Sequence, residues 1–268
     1  GVWFAGQING TTGYEEAAGQ GLLAGLNAAR WLKDQAPMVL GRDEAYLGVM
    51  IDDLVSKGTD EPYRMLTARA EHRLGLACDV ADARLLHRAR EVGALPPEAL
   101  ARIEGKLARR ERLRAQCDEA WATRTSGFGP VAESAGLRLD AGMSLSDLFR
   151  RQQMDEGRVD ACLSMLPGWA EPQLGWDPRM ERDLLLFELR YAGYRERERR
   201  LMDHRRDWDA IRIPQDMALE ELPSLSTEVK EKLRHHRPET LGQASRIPGV
   251  TPAAVTLLHL FIERRTSA

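Results

Sequence analysis

The sequence is poor in cysteine, in aromatic residues and in net charge, and it has no long apolar run. Its three cysteines, Cys78, Cys117 and Cys162, lie far apart and form no C-x-x-C pair, which argues against a disulfide framework or a thiolate zinc site. A reducing cytoplasm suits this usage. The six histidines show no ligand spacing with cysteines or acids, so no metal site is expected. No apolar stretch approaches the length of a membrane span, and the N-terminus lacks the basic and apolar regions of a signal peptide. A formal net charge of −3 is too small to draw the whole chain onto nucleic acid, so any such contact must come from local patches.

What is present points to helices. With 43% hydrophobic, 6% aromatic and 29% charged residues in 268, a soluble, helix-rich globular protein of one to three domains is expected. The chain opens without an initiator Met on Gly1–Ala5, which reads as a short buried strand. "GQINGTTGYEEAAGQG" follows, and a helix is predicted from Thr12 to about Lys33. Thr12 and Glu15 have the T-x-x-E spacing of a capping box. Along this helix Ala17, Ala18, Gly21, Ala24, Gly25 and Ala28 leave a face with almost no side-chain bulk, as if something packs close to it. A strand end, flexible glycines and a helix N-terminus together favour a phosphate or an electron-rich ring. An ordinary strand-to-helix turn that uses glycine for its geometry is the competing reading.

After Pro37 the pattern predicts short helices and a loop at Lys57–Pro62. From Pro96 a long amphipathic helix is predicted, with Leu100, Ile103, Leu107, Leu113, Cys117 and Trp121 on one stripe. Arg102, Lys106, Arg109, Arg110, Arg112 and Arg114 crowd its other faces. Those cations either contact phosphates or form a solvated face. A break is expected at "TSGFGP", a helix start near Ser144 or Ser146, and an Asp177 N-cap followed by Pro178 opening one long helix through "RMERDLLLFELRYAGYRERERRLMD". Another break falls at Ile213–Asp216, and the tail holds three or four short helices. "ASRIPGVTPAAV" has the look of a nucleic-acid-binding hairpin between helices, but Thr251 and Pro252 stand where a second glycine belongs; a packing role remains open.

The blocks "FAGQINGTTGYEEAAGQGLLAGLNAA", "EAYLGVMIDDLVSKGTDEPYRMLTARAEHRL", "ADARL", "YAGY" and "LSTEVKEKLRHHRPETLGQASRIPGVTPAAV" follow one another along nearly the whole chain. Together they closely resemble the GidA/MnmG family, flavoproteins that help modify the wobble uridine of certain tRNAs. Family members begin with a GxGxxG motif and carry an inserted NAD(H)-binding region, and neither is found in this sequence. The resemblance therefore implies the C-terminal part of such a protein. The fold it implies is mainly α, with a strand and helix completing a Rossmann-like FAD-binding domain and a C-terminal multi-helix domain after it. The implied domains are 1–82, the remainder of the FAD domain; 83–206, a helical domain with long amphipathic helices; and 207–268, a small terminal helical subdomain.

By the same resemblance Gln7 is the leading FAD contact, with Gly6, Asn9, Gly10, Thr11, Thr12, Gly13 and Tyr14 lining the cofactor and Glu15 a cap as much as a contact. In "YRMLTARAEHRLGLACDVADARL" the matching residues include Arg69, Glu71, Arg73, Asp79, Asp82 and Arg84, of which Arg69, Arg73 and Arg84 are the implied substrate-binding cations. Internal pairing of these arginines with carboxylates competes with that role. The sequence departs from the family at Ala77, Cys78 and Val80, where arginine, glutamine and asparagine are expected. The resemblance further implies FAD, NADH and methylenetetrahydrofolate, tRNA as substrate, a partner GTPase of the MnmE/TrmE family, a homodimer and a cytoplasmic location without membrane contact. No catalytic residue is assigned, and this chain alone is expected to be inactive. The alternative is a stand-alone helical module that binds tRNA or protein without chemistry.

Overall fold

Helical spacing of apolar residues carries almost the whole chain. The computed structural model describes residues 1–173, 175–214, 216–217, 219, 222 and 224–266, with the backbone alone at 201, 203–206 and 265–266; the side chain of His204 therefore lies outside the described residues. In chain order the helices are α1 (Tyr14–Trp31), α2 (Tyr46–Ser56), α3 (Ala81–Val92), α4 (Pro97–Glu119), α5 (Gly129–Ser134), α6 (Leu145–Phe149), α7 (Glu156–Leu163), α8 (Pro178–Arg190), α9 (Ala192–Ala210), α10 (Thr227–His236), α11 (Leu241–Arg246) and α12 (Pro252–Thr266). Among the described residues the one sheet is a two-stranded antiparallel pair, β1 (Trp121–Ala122) and β2 (Met143–Ser144), with Trp121 opposite Ser144. The mainly α fold is the one expected. The chain forms two compact units, one of residues 1–76 with 197–268 and one of residues 77–196.

In the 77–196 unit the core gathers Leu113 and Cys117 of α4, Leu145, Leu148 and Phe149 of α6, Val159 and Cys162 of α7, and Leu185 and Leu189 of α8. Each large side chain buried here stabilises the fold by about 1.5–3 kcal/mol. Local signals set the helix starts. Ser144 Oγ accepts from the Asp147 amide at 3.1 Å, and Asp177 accepts from the Arg179 amide at 2.9 Å with Pro178 in the first turn. The predicted long helix after Pro178 is two helices, because the backbone leaves helical geometry at Tyr191 (φ −102°, ψ 9°). The basic face of α4 is also partly internal. Arg110 donates to both carboxylate oxygens of buried Glu181 at 2.6 and 2.9 Å, and Lys106 holds Asp82 at 2.8 Å. Arg109 is buried, its guanidinium 4.0 Å from the centre of the Trp176 ring and bonded to the Gly168 and Trp169 carbonyls. Trp121, placed on the buried stripe by spacing, is 54% exposed because the helix ends at Glu119.

In the other unit, α10, α11 and α12 close around Leu233, Leu241, Ala244, Val255 and Leu258. Thr240 caps α11 by accepting from the Gln243 amide at 3.1 Å. Gly242 lets α11 pass close to Asp209 of α9, since a Cβ there would collide with the Asp209 side chain and lie 3.1 Å from its Cα. Two expectations at the start of the chain are corrected. Gly1–Ala5 is exposed and unpaired rather than a buried strand, because a strand needs a ladder partner and these residues have none among the described residues. The helix cap is Gly13 rather than Thr12, so the Thr12–Glu15 capping box does not form. The small-residue face of α1 is open in turn: a Cβ on Gly21 or Gly25 would meet nothing within 4 Å.

Candidate functional site

The glycine-rich loop before α1 is braced from inside. Residues Gly6–Asn9 make one 3-10 turn, and both Gly6 (φ 79°) and Gly10 (φ 68°) adopt the left-handed backbone that glycine tolerates. Gln20, in the second turn of α1 and 3% exposed, reaches back to the loop. Its Oε1 accepts from the Gly6 amide at 2.8 Å and from Asn9 Nδ2 at 3.3 Å, and its Nε2 donates to Thr11 Oγ1 at 2.8 Å. A single buried amide thus satisfies both ends of the turn, which fixes the loop's shape while its outer side stays open. Gln7, Thr12 and Tyr14 face outward, Tyr14 at 91% exposure, whereas Gly6, Thr11 and Gly13 are buried and Asn9 and Gly10 half-buried.

Gly13 brings no side chain over the first turn of α1, so the amides of Tyr14 and Glu15 head the helix without a side-chain cap. Glu16 sits three residues past the cap. Its carboxylate accepts from its own amide and from the Met65 amide at 3.2 Å, and these bonds hold it below the usual carboxylate range. An ionised Glu16 offsets part of the positive end of the helix dipole.

The second motif block lies against this loop. The Tyr63 amide donates to the Gly10 carbonyl at 2.7 Å, and Thr11 and Tyr63 form a parallel bridge. Behind Tyr63 stands a charge network on α2. Tyr63 Oη donates to Asp53 at 3.0 Å, and Lys57 Nζ and Arg42 Nη1 reach Asp53 at 2.7 and 2.8 Å. Arg42 also donates to Asp52, Glu71 and the Val49 and Arg69 carbonyls, so all of its nitrogens are bound. Asp52 turns to Arg246 of α11 at 3.0 Å, and Arg246 reaches Asp209 at 2.9 Å. Burial pushes the Asp53 carboxyl up, but Lys57 and Arg42 outweigh it and hold Asp53 below its ordinary value.

Of the predicted substrate-binding cations, Arg69 stacks 4.5 Å over the Tyr63 ring and donates to the Arg64 carbonyl at 2.9 Å, and Arg73 is exposed nearby in sequence. Arg84 belongs to the 77–196 unit, where it donates to the Ala77 carbonyl at 3.0 Å. Cys78 and Val80, two of the departures from the family pattern, lie in one 3-10 turn with Cys78 exposed. Sequence reasoning missed Gln20, Arg42, Asp53, Glu16 and Arg246. For Gln20 a signal existed: Gln20, Leu23 and Asn27 share one helical face, and an amide in register with buried leucine marks a bound polar group. Asn27 exchanges two such bonds with Met38, at 2.7 and 3.0 Å.

Comparison with known proteins places this geometry in context. Residues 202–268 match the family described as "tRNA modifying enzyme MnmG/GidA C-terminal helical bundle", and residues 1–36 match "Glucose inhibited division protein A". The chain is 44% identical over 268 residues to the tRNA uridine 5-carboxymethylaminomethyl modification enzyme MnmG of Geobacter metallireducens, covering 98% of this chain and 41% of that protein. The corresponding enzyme of Porphyromonas gingivalis is 44% identical over 267 residues, covering 98% of this chain and 42% of that protein. Among solved structures, Aquifex aeolicus GidA in one crystal form aligns with a TM-score of 0.73 and 37% identity over 96% of this chain and 39% of that one. The chain thus spans about two-fifths of the length of the relatives it matches.

Proposed function

The chain belongs to the GidA/MnmG family, and on that premise we propose that it supplies one wall of a flavin site and the docking region for tRNA and a partner GTPase. The parent activity is modification of the tRNA wobble uridine to its 5-carboxymethylaminomethyl form. One observation carries this reading: the Tyr63 amide on the Gly10 carbonyl at 2.7 Å brings the two most specific family blocks together. A cofactor loop and an arginine-bearing segment then share one surface.

The loop's residues fit a flavin. Left-handed glycines and a helix start without a side-chain cap let a ring approach backbone amides closely. FAD, when bound, supplies the electron and one-carbon transfer chemistry, with NADH and methylenetetrahydrofolate as co-substrates. The chain's own residues orient and polarise. Gln7 would be the leading contact to the bound group, with Gly6, Asn9, Gly10, Thr11, Thr12, Gly13 and Tyr14 lining it. Amides near Thr12 and Gly13 stabilise negative charge where it develops, a role limited by ionised Glu16. Arg69, Arg73 and Arg84 meet substrate phosphate in a salt-dependent, sequence-blind way. Residues 1–82 serve the cofactor, 83–206 form the helical body and 207–268 the terminal docking subdomain, in a cytoplasmic homodimer. This chain alone is inactive, because the rest of the flavin site lies in sequence that the longer relatives carry.

The visible spectrum of the purified chain, with and without added FAD, tests the reading. A colourless protein that ignores FAD fits a partial wall; a flavin band co-eluting with the chain overturns the claim that the site is incomplete in this chain alone. A second reading, a docking module without chemistry, is favoured by the separate core around Leu233, Leu241 and Leu258. It predicts salt-dependent tRNA binding with no flavin present.

A further inference from the structure

The terminal bundle contains a cavity of about 800 Å³ that none of the preceding roles uses. Its floor is aliphatic, with Met217, Leu233 and Leu258 buried in the bundle core. Arg212 and Arg237 stand exposed on its rim, and among the described residues neither guanidinium has an ion-pair partner. Among the described residues the rest of the rim carries Arg234 and one carboxylate, Glu239, so positive charge predominates there.

Arg237 adds a second observation. It ends α10 in left-handed backbone, φ 46° and ψ 55°, at the position where glycine or asparagine sits without strain. A strained arginine at the mouth of a cavity points to a use for its side chain.

The lining decides what that use is. Unstacked nucleotides are held on aromatic rings or on guanidinium planes lying over a flat floor, and among the described residues this cavity has no aromatic ring in its lining. An aliphatic floor with a methionine suits a protein side chain that can repack against it, and arginine forks suit carboxylates. We infer that the cavity docks an acidic peptide segment of a partner protein. One large aliphatic or aromatic side chain of that segment fills the floor, and flanking carboxylates pair with Arg212 and Arg237. The inference rests on the reading of residues 207–268 as a docking subdomain, and it names the chemistry of the occupant.

The test is selection of a random displayed peptide library on the full chain, with the winning peptides then measured by fluorescence anisotropy. Arg237→Gly removes the side chain and relieves the backbone, so it folds at least as well as the parent, and Arg212→Ala alters an exposed residue. Enriched peptides that combine Asp or Glu with a large apolar residue, and that bind at least about tenfold more weakly to either variant, support the inference. No enrichment, or enrichment indifferent to both substitutions, overturns it. So does binding of a single-stranded RNA oligonucleotide that both variants lose while the peptides do not bind, and so does a concentration-dependent dimer that both variants abolish. Salt-dependent binding of tRNA to the full chain, measured separately, tells failure of this inference from failure of the docking reading itself.

Discussion

Replacing Asp53 with asparagine removes the charge at the centre of the α2 network while keeping the side chain's shape. Asp53 has a 3% exposed side chain and is touched by Arg42 at 2.8 Å and Lys57 at 2.7 Å, with Tyr63 Oη donating to it at 3.0 Å. Removing one partner from a buried ion pair typically costs about 3–5 kcal/mol. Arg42 keeps Asp52 and Glu71, and the carbonyl of the substituted side chain still accepts from Tyr63, so the expected loss is nearer about 2–3 kcal/mol. Because the chain has two compact units, the loss is best read locally, by hydrogen exchange at the Tyr63 and Val49 amides, alongside urea denaturation. The pH dependence gives the sign. The native Asp53 value lies below the unfolded one of about 3.9, so its contribution is complete above about pH 4 and is lost as pH falls through the native value. The gap between parent and D53N therefore closes on acidification. A loss under about 1 kcal/mol at pH 7, or a gap that stays constant into strong acid, refutes the assignment.

Three further outcomes follow from packing. Gly242→Ala forces α11 away from the Asp209 backbone and lowers stability by about 1–3 kcal/mol despite alanine's better helix propensity; an unchanged melting temperature counts against the close approach. Glu181→Gln leaves Arg110 and Lys106 short of charge and costs about 3 kcal/mol, whereas the double change R110M/E181L restores most of it; equal losses in the single and double variants would contradict a buried ion pair. In native protein one thiol, Cys78, reacts quickly with a disulfide reagent, and all three react after unfolding. Burial pushes Cys117 up to about 12 and Cys162 up to about 11, so their contribution to stability is complete below about pH 8.5 and is lost as pH rises towards those values.

Legibility in the sequence tracked how local the deciding interaction is. The starts of α6 and α8 were readable at Ser144 and Asp177–Pro178 because a cap and a proline act within one turn. The break at Tyr191 was not, since "YAGY" is compatible with helix and nothing within a turn of it signals a stop. The cap of α1 was misread because adjacent Glu15 and Glu16 allow two registers. The choice of Gly13 goes with Glu16 bonding Met65 and Thr11 pairing with Tyr63, contacts about fifty residues away in the chain. Arg109 and Arg110 looked like surface because patterning counts arginine as polar, while their partners Trp176 and Glu181 lie about seventy positions on. Of the candidate site, the loop residues came from motif resemblance, and the braces behind them, Gln20 and Asp53, did not, since a buried polar group is recognised by its partners.

The network also makes a claim about coupling that stability measurements on single variants cannot reach. Arg246 of α11 and Arg42 both hold Asp52, and Arg42 holds Asp53, which orients Tyr63 against Gly10. The terminal bundle and the glycine loop therefore share carboxylates on α2. Arg246→Met removes a partly buried pair whose other member keeps Arg42, so alone it costs about 1–2 kcal/mol. In D53N the Arg42 guanidinium leans more heavily on Asp52 and competes less evenly with Arg246. The double variant R246M/D53N should then depart from the sum of the two single losses by about 0.5–1 kcal/mol, with the same non-additivity visible in exchange of the Tyr63 amide. Losses that add to within about 0.3 kcal/mol would mean that Asp52 and Asp53 act as separate anchors, and that changes at α11 do not reach the loop through α2.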